Sequence, residues 1–452
     1  MTKGLNVAIV GGGITGLAFA IALSKDAPDL NVDIYEATSS FSTIGAGIGM
    51  WPRVWEIMEI YGLAEALDQQ QGANPGDGRF RYRRSDLPSG IQIGEAKVGV
   101  RTYHRADFLQ VLLEHVPQHY GTHFSKRLAS YDDDPEQGTV TLRFTDGSSA
   151  TCDVLVASDG IKSAVRQTMY TRLAEKARCE GATPEEVEIL LNHVPATWSG
   201  ELVYRHLITR EDIEKAFPNH PSLNGPTLYM SEHRYIITYP ISQGRAFNTG
   251  AFIAYPGRYG SIYEGPWTRE ATQDELRTAF TGCEPAAQVI LDLMVRPSVW
   301  AINIVPPIPT YTFGRVVLLG DAAHAMRPHQ GAGAGQGVED GFVLAAVLGS
   351  PLTTRQTLSV ALEAYDKIRR PVVEETIRRS IEMGQSYFLE RPWSSCHEDL
   401  ATASEAQALK FREPSIIHAF EDSVRDLYAW AWFGSAQPQR RQVRDVLGAM
   451  IM

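Results

Sequence analysis

A glycine-rich turn near the first residue constrains the fold of this 452-residue chain more than any other feature. The apolar run from Leu5 to Val10 is typical of a buried strand, GGGITG follows it, and an apolar helix comes next. Gly11, Gly13 and Gly16 match the spacing that allows a tight turn, close approach of a pyrophosphate, and close packing of a helix on a sheet. The sequence therefore predicts a Rossmann-like βαβ unit that binds a dinucleotide.

An acidic residue at the end of the next predicted strand narrows the choice of ligand. This strand runs from Val32 to Tyr35, and Glu36 follows it. A carboxylate at this position accepts hydrogen bonds from ribose hydroxyls and disfavours a 2′-phosphate. The tightly bound dinucleotide is therefore predicted to be FAD or NAD rather than NADP.

A second glycine-rich stretch, at residues 320–341, distinguishes these two ligands. It reads GDAAHAMRPHQGAGAGQGVEDG, with Asp321 at the end of an apolar strand and a run of glycines before a predicted helix. A helix N-terminus behind glycine amides stabilises the negative charge that a reduced flavin carries at N1 and C2=O. Because a nicotinamide dehydrogenase has no need of this element, the two stretches together indicate FAD.

Composition excludes several classes of partner. Lys and Arg number 42 against 53 Asp and Glu, and the net charge of −11 argues against nucleic-acid and anionic-membrane surfaces. No basic secretory leader and no membrane-spanning run of roughly 20 apolar residues is recognised, so we expect a cytoplasmic monomer or homodimer without a membrane partner. The four cysteines suit a reduced compartment and lack metal-ligand spacing, so no metal site is predicted. They are Cys152, Cys179, Cys283 and Cys396.

The order of these patterns predicts an α/β fold with a discontinuous, Rossmann-like FAD-binding domain. The alternating, Tyr-, Ile- and Thr-rich segments after Glu201, such as YIITYPI at residues 235–241, indicate an inserted antiparallel-sheet substrate domain. C-terminal helices complete the expected architecture. The expected segments are 1–180 (FAD-binding domain, first part), 181–300 (substrate domain), 301–390 (FAD-binding domain, second part) and 391–452 (C-terminal helical segment).

Local patterns give three further expectations. A single helix is expected near Thr272 to Met294. Residues 172–198 are charged and lack strong periodicity, which suits a domain crossing or a surface insertion. The basic run RFRYRR at residues 79–84 is expected to form a solvated strand face rather than a binding patch.

Together the motifs resemble the single-component FAD-dependent aromatic monooxygenases, which have a para-hydroxybenzoate hydroxylase-like fold, and most of all the salicylate hydroxylases. The likeness covers nearly the whole chain. It implies that Asp321 binds the ribityl chain of FAD and that Pro328 lies by the flavin ring. It also implies that backbone amides around Gly331, Ala332 and Gly333 face flavin N1 and O2.

The same resemblance assigns further contacts to FAD. Asp159 and Gly160, in DVLVASDGIKSAVR at residues 153–166, match a motif that touches FAD and the nicotinamide route. Arg105 matches an arginine that approaches the FAD phosphates, although a solvated arginine at a helix start is the alternative. The stretch around Gly47 would pass along the isoalloxazine edge, but Arg53 stands where relatives often have Asn.

The resemblance further implies an NAD(P)H- and O2-dependent hydroxylase of a phenolic acid, with a flavin C4a-hydroperoxide as the oxidant. No second nucleotide fold is visible, so NADH or NADPH is expected to bind transiently. His329, next to Pro328, is the leading candidate to accept the phenolic proton, because neutral imidazole can do so near pH 7. Tyr239 is the other candidate, although Tyr229 and Tyr235 compete for the assignment.

The sequence leaves the roles of two arginines undecided. Arg205 in VYRHL either pairs with a substrate carboxylate or phenolate, since its fork of donors suits both, or is a surface charge. Arg327 in AMRP is either an unusual cation close to the flavin or another surface charge.

Ipso attack with loss of carbon dioxide, as in salicylate 1-hydroxylation, is the favoured reaction. The alternatives are decarboxylative 1-hydroxylation of a 4-hydroxybenzoate, prenylated or not, and hydroxylation or dearomatisation of a polyketide phenol without decarboxylation. From a different class, a non-catalytic binding protein with the FAD fold would be colourless. The intact glycine-rich loops argue against that reading.

Overall fold

The structure is a computed structural model, and it describes residues 4–41, 47–71, 79–97, 99–391 and 412–451. Helices and strands are both abundant, and the expected α/β class is confirmed. The strands in these residues are β1 (Asn6–Val10), β2 (Asn31–Tyr35), β3 (Gly47–Met50), β4 (Arg79–Arg84), β5 (Ile91–Lys97), β6 (Arg101–His104), β7 (Gly121–His123), β8 (Leu128–Asp134), β9 (Thr139–Phe144), β10 (Ser149–Cys152), β11 (Val154–Ala157), β12 (Thr197–Thr209), β13 (Thr227–Ser231), β14 (Arg234–Ile241), β15 (Ala246–Ala254), β16 (Thr268–Glu270), β17 (Ser298–Ile304), β18 (Thr312–Phe313) and β19 (Val316–Leu318).

The helices connect these strands and close the chain at its C-terminal end. In the described part of the chain they are α1 (Ile14–Asp26), α2 (Pro52–Ile60), α3 (Ala64–Gln71), α4 (Arg105–His115), α5 (Ala164–Cys179), α6 (Pro184–Leu191), α7 (Arg210–Ala216), α8 (Gln273–Ala279), α9 (Pro285–Leu293), α10 (Asp321–His324), α11 (Gly333–Leu348), α12 (Leu358–Tyr387), α13 (Pro414–Trp432) and α14 (Gln437–Ile451). None of the described helices is long and apolar enough to cross a membrane.

A six-stranded sheet in the order β18-β19-β11-β1-β2-β7 forms the Rossmann-like core. Strands β19, β11, β1 and β2 run parallel, and β11 is buried along its whole length, as expected for a parallel sheet covered on both faces. Helix α11 packs against α1 so closely that a Cβ at Gly341 would lie 3.0 Å from the Cα of Phe19. Because β18 and β19 join this sheet from beyond residue 300, the FAD-binding domain is discontinuous, as predicted.

An eight-stranded sheet in the order β16-β17-β12-β15-β14-β13-β4-β5 forms the second layer. Its neighbours are antiparallel except β13 and β4, which run parallel. One face packs on α8 and α9, and the other meets α12 and α13. The sheet takes β4 and β5 from residues that the sequence analysis places in the first FAD-binding segment. The domain boundaries themselves stay a prediction.

Two local expectations are wrong in detail, and the one for residues 172–198, a domain crossing or a surface insertion, is not contradicted. Residues 272–294 form two helices rather than one, because Thr272 caps α8 and Pro285 begins α9 at a position where proline is favoured. Residues 172–198 are mostly helical in α5 and α6. The strand RFRYRR is not uniformly solvated, since Arg84 is 2% exposed and Arg83 pairs with Glu284.

A buried network of charged side chains ties the C-terminal helices to the Rossmann-like layer. Arg369 on α12 lies 2.9 Å from Asp340 and 3.0 Å from Glu339, both on α11. Glu339 also accepts two hydrogen bonds from Arg53, at 2.8 and 3.0 Å. Since these side chains are removed from water, the pairs satisfy charges that would otherwise be strongly unfavourable inside the protein.

Candidate active site

A cavity of about 790 Å³ lies between the two sheets. Most of the residues singled out from the sequence line it, although they come from distant parts of the chain. They are Gly11, Gly13, Glu36, Gly47, Arg105, Asp159, Gly160, Arg205, Tyr239, Asp321, Pro328, His329, Gly331 and Gly333. Two others, Gly16 and Ala332, do not line the cavity but support the turns that do.

The turn after β1 has the geometry that its glycines predict. Gly11 has a φ of +105°, and a Cβ there would lie 2.3 Å from the carbonyl oxygen of Ser158. A Cβ at Gly16 would lie 2.1 Å from the carbonyl oxygen of Gly11, so α1 can approach the turn only with glycine there. A Cβ at Gly13 would meet nothing within 4 Å, and this glycine opens onto the cavity. The N-terminus of α1 is thus accessible to a phosphate.

Glu36 is fixed at the end of β2 by backbone donors. Its Oε2 accepts from the amide of Gly12 at 2.9 Å, and its Oε1 accepts from the amide of Thr38 at 2.8 Å. Oε1 also accepts from the hydroxyl of Thr38 at 2.7 Å, so of the roughly four acceptor positions of a carboxylate, one on Oε2 stays open. Glu36 can therefore accept from a ribose hydroxyl while it holds the turn in place.

The second glycine-rich stretch forms the opposite wall of this part of the cavity. Gly320 has a φ of +56°, and its amide donates to Oδ2 of Asp340 at 2.9 Å, which fixes the start of α10 at Asp321. Helix α11 begins at Gly333 beside the cavity. The carbonyl of Gln330 accepts from Nε1 of Trp51 at 2.8 Å, so the loop before α11 is held in place. The N-terminal amides of α11 are therefore available to stabilise an anionic group in the cavity.

The DG segment has a mainly structural carboxylate. Oδ2 of Asp159 accepts from the amides of Ala164 and Val165 at 2.9 and 3.3 Å, which caps α5. Burial raises the pKa of this carboxyl above its usual value, against the lowering effect of these hydrogen bonds. Arg166 donates to the carbonyl of Ala322 at 2.7 Å and thereby connects α5 to α10. Gly160 has a φ of +78° and lines the cavity.

These residues fit FAD. The open glycine turn, the acceptor Glu36 and the N-terminus of α11 supply the phosphate, ribose and ring contacts of a dinucleotide that carries a flavin. Arg105 and Asp321 line the same cavity, and neither forms an ion pair within the described part of the chain. A cation and an anion that form no ion pair with the described residues are therefore available to a phosphate and to the hydroxyls of a ribityl chain.

The eight-stranded sheet supplies the other wall through alternate residues of its central strands. These residues share one face because side chains two apart on a strand point the same way. They are Val203 and Arg205 on β12, Tyr235, Ile237 and Tyr239 on β14, and Asn248, Gly250 and Phe252 on β15. This part of the cavity is mostly apolar, with a few polar groups at defined positions, as is usual for a small-molecule site.

Arg205 is a partly buried cation at this wall. Burial lowers the pKa of its guanidinium, the neighbouring Tyr239 opposes that effect, and Arg105 adds to it. Its guanidinium carbon lies 5.9 Å from the ring centroid of Trp300, and it forms no ion pair within the described residues. A desolvated guanidinium without a carboxylate is a binding position for an anionic group.

His329 is buried, with a polar neighbour at each ring nitrogen. Its Nδ1 lies 2.9 Å from the hydroxyl of Tyr235, and its Nε2 lies 3.1 Å from Oε2 of Glu201. The tyrosine beside His329 is thus Tyr235, whereas Tyr239 lies near Arg205, and Tyr229 is bonded to Ser222 within the core. Burial raises the pKa of Tyr235 well above its usual value, and nearby Glu201 and Tyr428 add to this.

The other two arginines singled out from the sequence lie outside the cavity. Arg327 is 3.0 Å from Glu201, donates to the carbonyl of Ser199 at 3.0 Å, and lines a separate pocket. Arg53 forms a buried ion pair with Glu339 at 2.8 Å, and this pair accommodates an arginine at a position where relatives often have Asn.

Sequence reasoning missed Glu201 and Gly250. Glu201 is buried on β12, but nothing local shows that it pairs with Arg327 and lies beside His329. Gly250 is a glycine inside a strand without a positive φ, and such a residue often marks close approach of a ligand or another chain segment.

Comparison with known proteins agrees with this geometry. A family model described as FAD binding domain matches residues 4–246 and 269–380. Salicylate hydroxylase of Pseudomonas putida is 36% identical over 409 residues, which covers 88% of each chain. The 6-methylsalicylate 1-monooxygenase atA of Aspergillus terreus is 30% identical over 388 residues, 83% of this chain and 81% of its own. A solved salicylate hydroxylase substrate complex superposes with a TM-score of 0.79 over 98% of both chains at 29% identity.

Proposed function

Because the chain belongs to the FAD-dependent aromatic monooxygenases of the salicylate hydroxylase type, we propose that it hydroxylates a 2-hydroxybenzoate at the carboxylate-bearing carbon, with loss of carbon dioxide. One oxygen atom of O2 becomes a hydroxyl group on the ring, the other leaves as water, and NAD(P)H supplies the two electrons. When bound, FAD carries those electrons from NAD(P)H to O2 and supplies the electrophilic oxygen.

The observation that carries the proposal is Arg205. It is a partly buried guanidinium that faces the cavity without an ion-pair partner in the described residues. A substrate carboxylate would complete this site with a charge-assisted, bidentate contact. Two relatives are named for acting on salicylate and 6-methylsalicylate, which both bear a carboxylate next to a phenol.

The phenol requires a proton acceptor, because ring attack by an electrophilic oxygen is favourable when the phenol is deprotonated. His329 with Tyr235 is the acceptor that the geometry supports best, since both line the cavity and are bonded to each other at 2.9 Å. Ile237 and Phe252 form apolar walls beside them. Such walls exclude water and so delay the wasteful release of peroxide.

The site residues for FAD follow from the cavity wall. We propose that Gly11 and Gly13 admit the pyrophosphate, Glu36 binds the adenosine ribose, and Arg105 pairs with a phosphate. Asp321 would bind the ribityl hydroxyls, and Gly47, Gly160 and Pro328 would lie against the flavin. The amides from Gly331 to Gly333 would stabilise its reduced, anionic edge.

The test is oxidation of NADH and of NADPH by the yellow protein with salicylate, 6-methylsalicylate and 4-hydroxybenzoate, with product mass and peroxide followed together. Benzoate, which lacks the phenol, is the matched control. A product that has lost the carboxyl group and gained oxygen supports the proposal. A product that gains oxygen but keeps its carboxylate would show ring hydroxylation without decarboxylation. Formation of peroxide alone with every phenol would refute this substrate class.

A further inference from the structure

The loop that carries Pro328 and Gly331 along the cavity is bonded to helix α13. The side-chain amide of Gln330 uses both of its ends for this contact. Its Nε2 donates to the carbonyl of Leu427 at 3.0 Å, and its Oε1 accepts from Nε1 of Trp430 at 3.1 Å. Gln330 is 1% exposed, although part of it lines the cavity. A buried amide that is bonded at both ends holds its loop in one orientation.

The backbone of this loop is held as well. Every carbonyl from residue 327 to residue 330 accepts a hydrogen bond from another group of the protein. The donors are, in the order of these carbonyls, Oγ of Ser380 (2.8 Å), the amide of Gly331 (2.9 Å), the hydroxyl of Tyr428 (3.1 Å) and Nε1 of Trp51 (2.8 Å). A bonded carbonyl cannot rotate toward the cavity without losing its partner, and a buried polar group rarely gives up its partner.

The orientation of these peptide groups matters for a flavin because of its charge. A reduced flavin is negative at N1 and C2=O, so an amide N–H beside that edge stabilises it and a carbonyl oxygen there destabilises it. Dipoles that are already fixed stabilise such a charge best, since they need not reorient when the charge appears. The carbonyls of His329 and Gln330 are bonded elsewhere, so neither is free to turn toward that edge.

We propose that Gln330 is a positioning residue that sets how well the bound flavin accepts negative charge. It acts together with α13, because Trp430 holds its side chain and Tyr428 holds the peptide group before it. These partners lie about 100 positions further along the chain. The inference rests on the proposed placement of FAD beside Pro328 and Gly331, and it assigns Gln330 no contact with the substrate.

The test measures the midpoint potential of the flavin in the FAD-loaded protein at pH 8, without substrate. Gln330→Met removes both side-chain bonds, and Trp430→Phe removes one of them while it keeps an aromatic ring. We expect Gln330→Met to lower the equilibrium constant for two-electron reduction by about 5- to 100-fold, which corresponds to a fall of about 20 to 60 mV. Trp430→Phe should show a smaller fall in the same direction.

Trp432→Phe is the matched control for Trp430→Phe. Trp432 also lies on α13, two residues further on, and its ring stacks on that of Tyr428 with the centroids 5.0 Å apart. Its Nε1 is buried without a hydrogen-bond partner among the described residues. The two variants therefore make the same chemical change on the same helix, and only one of them removes a bond to Gln330. The potential of Trp432→Phe should equal that of the unmodified protein.

The outcomes separate the positioning role from the proposed function. A yellow protein that hydroxylates no 2-hydroxybenzoate would overturn the proposed function, whereas the potentials are measured without substrate and still decide the role of Gln330. An unchanged potential in Gln330→Met and Trp430→Phe would overturn the positioning role alone. Equal falls in Trp430→Phe and Trp432→Phe would also overturn it, because the effect would then come from the packing of α13.

A further variant decides the matter if Gln330→Met does not retain flavin. Tyr428→Phe keeps the ring and removes only the hydroxyl that donates to the carbonyl of His329. A lower potential in Tyr428→Phe supports the positioning of this loop by α13, and an unchanged potential overturns it.

Discussion

Arg205 on β12 is paired in register with Gly250 on β15, so the guanidinium lies beside a position without a side chain. Gly250 is also paired with Ile237 on β14, and all three residues line the cavity. Directly opposite residues of antiparallel strands project from the same face of the sheet. The glycine therefore leaves room beside a guanidinium that has no ion pair among the described residues, on the wall where the substrate is proposed to bind.

Replacing Arg205 with Met should weaken the use of carboxylate-bearing substrates. Loss of one partner of a desolvated pair costs roughly 2–4 kcal/mol, so kcat/KM for salicylate should fall by roughly 30- to 1000-fold. The measurement is steady-state NADH oxidation coupled to product formation. Arg277→Met is the control, because Arg277 pairs with Asp292 on the outer surface. An unchanged kcat/KM in Arg205→Met would show that the carboxylate binds elsewhere.

Adding a side chain at Gly250 should fill the space next to Arg205. A Cβ there would lie 3.0 Å from Cε2 of Phe252 and 3.4 Å from Cγ2 of Val203. A one-group change in the fit of an apolar pocket changes the binding free energy by about 1–3 kcal/mol, so salicylate binding should weaken by roughly 5- to 150-fold in Gly250→Val and by less in Gly250→Ala. Binding is measured by titrating the flavin absorbance. Equal binding by all three proteins would place the substrate away from this wall.

Removing the cation at Arg105 should weaken FAD binding rather than the fold. Arg105 lines the cavity and begins α4, where His104 is the N-cap, so Arg105→Met leaves the helix start intact. A lost phosphate contact should raise the dissociation constant of FAD by about tenfold or more, since hydrogen bonds to charged groups contribute roughly 1.5–3 kcal/mol. Flavin release on dilution measures it, with thermal unfolding as the check on folding. Full retention of flavin would assign Arg105 to the solvated alternative.

The Arg369–Asp340 pair should stabilise the fold in a pH-dependent way. Burial would raise the pKa of Asp340, but His324 and Arg369 outweigh it and lower this pKa to about 2, from 3.8. Because the folded-state pKa is the lower one, the stabilisation is fully present above about pH 4 and is lost as the pH falls through 2. Asp340→Asn should reduce the free energy of unfolding by about 3–5 kcal/mol at pH 6.

Urea unfolding of Asp340→Asn and of the unmodified protein, from pH 6 down to pH 3, checks this. The difference in the free energy of unfolding between the two proteins should decrease as the pH falls toward 3. Asp292→Asn, which removes an exposed ion pair, should have almost the same free energy of unfolding as the unmodified protein at every pH. A gap that grows as the pH falls would contradict the assignment of the charge to Asp340.

The Rossmann-like half of the site was predictable because its signals are local. Gly11, Gly13 and Glu36 lie within one βαβ unit, so their spacing alone predicts a dinucleotide site, whereas the ribityl role of Asp321 is implied by the family resemblance and stays a prediction. The break between α8 and α9 is also marked in the sequence, because Pro285 stands at a position where proline favours a helix start.

In the substrate half, Arg205, Tyr239 and His329 were named from the sequence and line the cavity, but their mutual arrangement was not predictable because it depends on pairing between distant segments. Tyr235 and Tyr239 are four apart on one strand and share a face, so periodicity cannot decide which of them meets His329. His329 and Glu201, whose side chains lie 3.1 Å apart, are separated by 128 positions in the sequence. Likewise, the parallel pairing of Tyr82 with Leu228 leaves no trace in either strand's own pattern.

The cavity wall contains Phe80 from β4 and Tyr428 from α13, and these two residues are separated by most of the chain. During synthesis the nascent polypeptide leaves the ribosome N-terminus first, and contacts of this sequence separation form late. The turn at Gly11 would thus be exposed to free nucleotides long before the part of the cavity proposed for the flavin ring is enclosed. Flavin would be held firmly only once translation has passed Tyr428.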